Sequence, residues 1–170
     1  MVPVVIQTLV MINPPSPSVV VLQPETEATM HRTRRIVPIW IGTAEATQLG
    51  IALEQTRFSR PMTHDLFLDA LTNLDARIDH VLINEVEGST FFARLALRHH
   101  GRLIDLDARP SDALCLAVRQ HAPIYLEESV LERASFPYVF RKNPENEEEL
   151  KRFHAFLENI SPEDFAGQGD

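Results

Sequence analysis

Thr90-Phe91-Phe92-Ala93-Arg94-Leu95-Ala96-Leu97-Arg98 alternates from end to end. Phe91, Ala93, Leu95 and Leu97 fall on one side; Phe92, Arg94, Ala96 and Arg98 fall on the other. A period of two marks a half-buried strand. Upstream, Glu87-Gly88-Ser89 reads as a hairpin turn, and Arg77–Glu85 as the strand before it. Downstream, His99-His100-Gly101 turns the chain into a further strand over Arg102–Asp107. Pro110 suits the first position of a helix over 110–120. A hairpin, a third strand and a helix therefore fill residues 77–120.

The same order occurs in the N-terminal part. Val2–Ile12 is β-branched and apolar, Asn13-Pro14-Pro15-Ser16-Pro17 is a turn, and Ser18–Leu22 is a second strand. A loop over Thr26–Thr33 leads to a third strand, Arg35–Ile41, whose Pro38 favours an edge or a bulge. A helix follows over Ala44–Gln55. Both helices open on an acid-Ala pair, Glu45-Ala46 and Asp112-Ala113, with an apolar residue four on from each acid. The two stretches read as a duplicated β3-α unit. Between them, a loop over 56–62 precedes a helix that Thr63 caps and that runs to about Asn73. Leu66, Phe67, Ala70, Leu71 and Leu74 form its expected inner face. Pro123–Glu127 reads as another strand and Ser129–Ala134 as a short helical turn. The expected fold class is α+β, with mainly antiparallel sheets and packed helices over residues 1–135. Residues 136–170 read as a linker and an acidic C-terminal helix. That helix, Glu147–Asn159, carries Leu150, Phe153, Leu157 and Ile160 at helical spacing and is expected to pack back on the domain.

A chain of 170 residues that is 44% hydrophobic suits one compact domain with a short appendage. The formal charge of −8 speaks against a general nucleic-acid coat protein, which needs a surplus of cations. Its distribution is uneven. Residues 1–144 hold 14 basic and 16 acidic side chains; residues 145–170 hold 2 basic and 8 acidic. The body is thus nearly neutral, and 13 of its 14 cations are Arg, whose planar fork matches carboxylate and phosphate. A lone cysteine, Cys115, excludes an intrachain disulfide and fits a reducing, cytoplasmic setting. No apolar run approaches the roughly 20 residues of a membrane span, so no membrane partner is expected.

The chain has no P-loop, no G-x-G-x-x-G, no H-E-x-x-H, no C-x-x-C and no G-x-S-x-G. No organic cofactor is expected. Two segments concentrate polar chemistry instead. Arg60-Pro61-Met62-Thr63-His64-Asp65 puts an Arg, a His and an Asp at a loop-to-helix junction. There Arg60 can add charge for an anion and His64 can move protons near neutral pH. The same residues also serve as an ordinary helix start. Asp105-Leu106-Asp107-Ala108-Arg109-Pro110-Ser111-Asp112 is the second segment. On a strand, Asp105 and Asp107 share a face, roughly 7 Å apart. With Asp112 at the helix start they can hold a divalent metal ion such as magnesium. Arg109 can stabilise phosphoryl charge and Ser111 can donate a hydrogen bond. An Asp107–Arg109 pair with Asp112 at the helix dipole satisfies the same residues without a ligand. Glu45, at the matching place in the first unit, is a weaker further candidate.

Five collinear motifs resemble one family. They are Val37-Pro38-Ile39-Trp40-Ile41-Gly42 with Glu45-Ala46, Arg60–Asp65, Thr90-Phe91-Phe92-Ala93, Asp107–Ala113 and Ala122-Pro123-Ile124-Tyr125. Across about residues 2–135 the chain looks like the bifunctional nuclease (DNase/RNase) domain family. The tail Phe153–Phe165 is similar to those of many bacterial members. The resemblance implies an α+β fold, self-association as a dimer or higher oligomer, and cleavage of DNA and RNA with weak sequence selectivity. Phe91-Phe92 stands where many members have Phe-Tyr, so one phenol is missing.

The expected function is a nuclease. Asp107 and Asp112, with Asp105 or Glu45, would bind a metal or orient water. His64 would act as general acid or base, and Arg60, Arg109 and Ser111 would hold the phosphate. The alternative is a non-catalytic, homo-oligomeric binding or regulatory module, in which Asp107, Arg109 and Asp112 form a structural network.

Overall fold

The computed structural model describes residues 1–12, 14–28, 34–138 and 147–160. Its strands are β1 (Val2–Val10), β2 (Ser18–Pro24), β3 (Arg34–Ile41), β4 (Ala76–Glu87), β5 (Thr90–His99), β6 (Arg102–Ala108), β7 (Ile124–Leu126) and β8 (Phe136–Tyr138). Its helices are α1 (Thr43–Leu53), α2 (Thr63–Asn73), α3 (Pro110–Gln120), α4 (Glu128–Ala134) and α5 (Glu147–Glu158), with a 3-10 turn at Glu25–Glu27.

All eight strands join one sheet in the order β6-β5-β4-β7-β1-β2-β3-β8. The two meanders, β1-β2-β3 and β4-β5-β6, stand on either side of β7. It runs antiparallel to β1 and parallel to β4. Every other pairing is antiparallel. The fold class is therefore α+β, and each meander feeds a helix directly from its third strand. Tight turns set the register. His99 pairs with Arg102, so His100 and Gly101 make a two-residue loop, with φ of 47° and 78°. Positive φ at both positions matches the twist of the flanking strands.

The main core lies between one face of the sheet and helices α1, α3 and α4. Strand alternation places Phe91, Ala93, Leu95 and Leu97 in it, as the period of two predicts. A second, smaller core covers the opposite face of β1-β2-β3. There Phe153 and Leu157 of α5 pack on Val10, Val19, Val21 and Ile36. Strand β2 is consequently buried on both faces along its whole length. Pro38 sits on β3 beyond the reach of β8, which pairs only with Arg34–Ile36, so its missing N–H lies near an open edge.

Three local expectations change. Residues 136–138 are not linker but β8; the rest of that segment, residues 139–146, lies outside the described residues, as do 29–33 and 161–170. Helix α2 is capped by Met62 rather than Thr63. The Met62 N–H donates to Asp65 Oδ2 at 3.0 Å, so the acid reaches back to close the first turn. Helix α2 is also rotated. Leu71 is buried, but Leu66 and Leu74 are more than 60% exposed and Phe67 is exposed as well. The cause is polar: Asp65 is tied to Arg119 and His64 faces Asp112, which turns positions 64, 65, 68 and 71 inward.

Candidate functional site

The starts of three helices meet in space. Helices α1 and α3 each begin two residues after a strand ends, and Glu45 and Asp112 occupy the same third position of each. Arg109 stands immediately before α3. Its Nε donates to Asp112 Oδ2 at 2.9 Å, and its Nη1 donates to Glu45 Oε1 at 2.8 Å. One guanidinium thus bridges the equivalent acids of the two units. Both carboxylates, Asp112 first, hold Arg109 still more firmly in its charged form. At the position in α1 that matches Arg109 stands Gly42. A side-chain carbon there would collide with the Glu45 carboxylate, so the missing side chain lets Glu45 fold back toward Arg109.

His64, the second residue of α2, completes the group. Its Nε2 lies 3.5 Å from Asp112 Oδ1, an ion-pair separation. Its Nδ1 is buried without a hydrogen-bond partner. The His64 side chain is 16% exposed, whereas that of Arg109 is 65% exposed. The imidazole is therefore sheltered and the guanidinium open. Ser111 is buried, and with Glu45, Arg109, Gly42, Thr90 and Phe91 it lines a cleft of about 290 Å³. Four of the five sequence motifs contribute to this group or its cleft.

Below it, Arg119 Nη1 donates to Asp65 Oδ1 at 2.6 Å, with the Arg side chain only 9% exposed. Asp112, Cys115 and Arg119 share one face of α3, a spacing visible in the sequence but not singled out there. Burial pushes the Cys115 thiol up, so it is an inert core group whose Sγ faces the Gln48 carbonyl at 3.5 Å.

The remaining candidates stand apart. Leu106 pairs with Leu95 on the core face, so alternation sends Asp105 and Asp107 to the opposite face of β6. Neither side chain has a hydrogen bond or ion pair with a described residue, and Arg109 pairs with Asp112 and Glu45 rather than with Asp107. Strand geometry therefore separates Asp105 and Asp107 from Asp112. Among the described residues, no three His, Cys, Asp or Glu side chains converge as metal ligands. Arg60 is exposed on the loop before α2, with no partner among the described residues. A second polar cluster, unforeseen in the sequence, lies on β4 and β5. Asp79 accepts from Arg98 Nε at 2.7 Å and contacts His80 Nδ1 at 2.9 Å. Those two bonds hold the Asp79 carboxyl below the usual range.

No helix among the described residues is long and apolar enough to cross a membrane. A model of the bifunctional nuclease domain matches residues 26–138, a span that includes Glu45, His64, Arg109 and Asp112. The uncharacterized protein Rv1829 of Mycobacterium tuberculosis (strain ATCC 25618 / H37Rv) is 36% identical over 136 residues, covering 77% of this chain and 81% of that protein. The uncharacterized protein MT1877 of strain CDC 1551 / Oshkosh matches to the same extent: 36% over 136 residues. With two thirds of its length matched by the domain model, and with relatives matched over most of theirs, the chain belongs to the bifunctional nuclease domain family.

Proposed function

We propose that the protein is a cytoplasmic nuclease that hydrolyses phosphodiester bonds of DNA and RNA with little sequence preference. One observation carries the reading: an open guanidinium is fixed by two carboxylates at the mouth of a cleft, beside a sheltered imidazole that shares one of them. Arg109 keeps Nη2 free to neutralise a phosphate, because Nε and Nη1 are engaged. His64 takes the proton of the attacking water at Nε2, the nitrogen that faces Asp112; the water oxygen bonds to phosphorus as the ester P–O bond breaks. Asp112 stabilises the imidazolium that forms. Ser111 donates to a phosphate oxygen from the cleft wall. These groups discriminate no base, which fits weak sequence preference. Every role assigned here belongs to the protein's own side chains. A divalent ion such as magnesium would enter with the substrate.

The test is cleavage of labelled single-stranded DNA and RNA by wild type, Arg109→Gln and His64→Ala, purified identically, with and without EDTA. Each variant is expected to lose about 100-fold or more in rate, the scale of removing a charge-stabilising donor. Folded variants that cleave like wild type would overturn the assignment. Loss of wild-type cleavage in EDTA would show that the ion is required.

One feature favours the second reading, a homo-oligomeric module. Strand β6, seven residues long, pairs with β5 on one side and with no strand among the described residues on the other, and Leu103, Ile104 and Leu106 are exposed. Such an edge is a template for pairing with another strand. Sedimentation of wild type and Ile104→Lys decides it: a module of this kind self-associates through β6 and loses that with the charge.

A further inference from the structure

A body with 14 basic and 16 acidic side chains has few cations to spare, and several of its described arginines are already engaged inside the protein. Arg35 is paired with Glu27, Arg98 with Asp79, Arg109 with Glu45 and Asp112, and Arg119 with Asp65. Arg57 and Arg60, like Arg77, Arg94, Arg102 and Arg133, form no ion pair with a described residue, and these two flank an aromatic ring. Both are exposed, neither has a partner among the described residues, and between them stands Phe58, 52% exposed. The loop that carries them joins α1 to α2 and ends one residue before the helix that begins Thr63-His64. No more than about 20 Å of chain separates Phe58 from His64. An exposed aromatic ring flanked by two guanidinium groups thus stands on a loop leading into the candidate site.

We infer that residues 57–60 are a single-strand-binding arm: Phe58 stacks on an unpaired base while Arg57 and Arg60 hold the phosphates on either side. This inference rests on the nuclease reading and names the substrate form that the site takes. Charge sets the orientation. Arg57 and Phe58 line a cavity of about 470 Å³ together with Asp65, Asp69, Arg119 and His121. Asp69 has no ion-pair partner among the described residues, so its carboxylate repels phosphate and accepts from base N–H groups. The base therefore turns toward Asp69 and the backbone toward Arg57, at the cavity wall, and Arg60, outside it. A base inside a duplex already has both faces stacked and cannot offer one to Phe58. Two cations are also too few to hold a duplex by its phosphates alone. Stacking of this kind tolerates any sequence, because every base has a π face.

The experiment is fluorescence anisotropy of the full chain with a labelled mixed-sequence strand of about 12 nucleotides, a length typical of such sites. The strand is tested alone and annealed to its complement, with EDTA present. The single strand is expected to bind more tightly than the duplex. Phe58→Ala should weaken single-strand binding roughly 5- to 150-fold, the equivalent of about 1–3 kcal/mol for one base–aromatic stack. Phe58→Trp should retain binding, and its added indole fluorescence should be quenched by the strand. Replacing both Arg57 and Arg60 by Gln should reduce the slope of log affinity against log salt by about 1.4. Wild-type affinity in Phe58→Ala, equal affinity for the duplex, or no binding at all overturns the arm. The cleavage assay separates the two ideas. Binding that needs Phe58 without cleavage by any form leaves the arm and removes the nuclease. Cleavage that needs Arg109 but not Phe58 does the reverse.

Discussion

Arg109 and Glu45 are 64 positions apart in sequence, yet their side chains meet at 2.8 Å. No local pattern announces such a contact. What was legible was the equivalence of Glu45 and Asp112 at the two helix starts, and that equivalence places both acids on one guanidinium. Gly42 was legible only as a strand breaker. Its service to Glu45 needs the three-dimensional arrangement. Gly42→Ala should displace the Glu45 carboxylate and loosen one arm of Arg109. Exposed ion pairs contribute about 1 kcal/mol or less, so the melting temperature should hardly move while cleavage falls. A large loss of stability with unchanged cleavage would contradict this. Asp79 gives a pH prediction with a definite sign. Its carboxyl titrates lower in the folded protein than in the unfolded chain, chiefly through Arg98 and then His80. The stability it contributes is present above the ordinary carboxyl value and fades as pH falls through the folded value. Urea midpoints measured between about pH 5 and pH 2 should therefore fall less steeply in Asp79→Asn than in wild type.

At the level of elements, strands were easier to read than faces. Strand β5 matched its alternation because a strand has only two sides, and Arg94 and Arg98 cannot share one with the core. Helix α2 has more freedom. Its apolar positions define a stripe, but two polar contacts, Asp65 to Arg119 and His64 to Asp112, fix the rotation. Hydrophobic spacing cannot weigh partners that lie on another helix. The consequence is measurable. Leu71→Ala should cost about 2–5 kcal/mol in urea denaturation, because Leu71 is buried in the main core. Leu66→Ala should cost within about 0.5 kcal/mol, because that side chain is 61% exposed. Equal costs would mean that α2 lies on its apolar stripe after all.

For the whole molecule, the repeated order of strands and helices was readable, but the place of β7 was not. Three residues at the centre of the sheet carry too little pattern to show that they join the meanders. Strand β8 escaped for the same reason: Phe136-Pro137-Tyr138 looks like a linker until Arg34–Ile36 lies beside it. The acidic helix α5 is part of the body. Phe153 is 2% exposed, and the Tyr138 ring meets it edge-on at 4.8 Å. Phe153→Ala should cost about 3–5 kcal/mol of unfolding free energy, a loss that an ornamental tail would not show.

The bridge made by Arg109 has one more consequence. Its two anchors come from opposite halves of the chain, one before α2 and one after β6. A protein cut in the connection between α2 and β4 would leave each fragment with a single acid, and only one fragment with the arginine. Neither fragment alone can build the clamp. If Arg109 serves cleavage as proposed, activity would return only when the halves re-form the sheet through β7 and β1, and the clamp would act as a built-in inspection of complete folding. On the proposed nuclease reading, a nascent or proteolysed chain, however rich in secondary structure, would be harmless to the nucleic acids around it until that last contact closes.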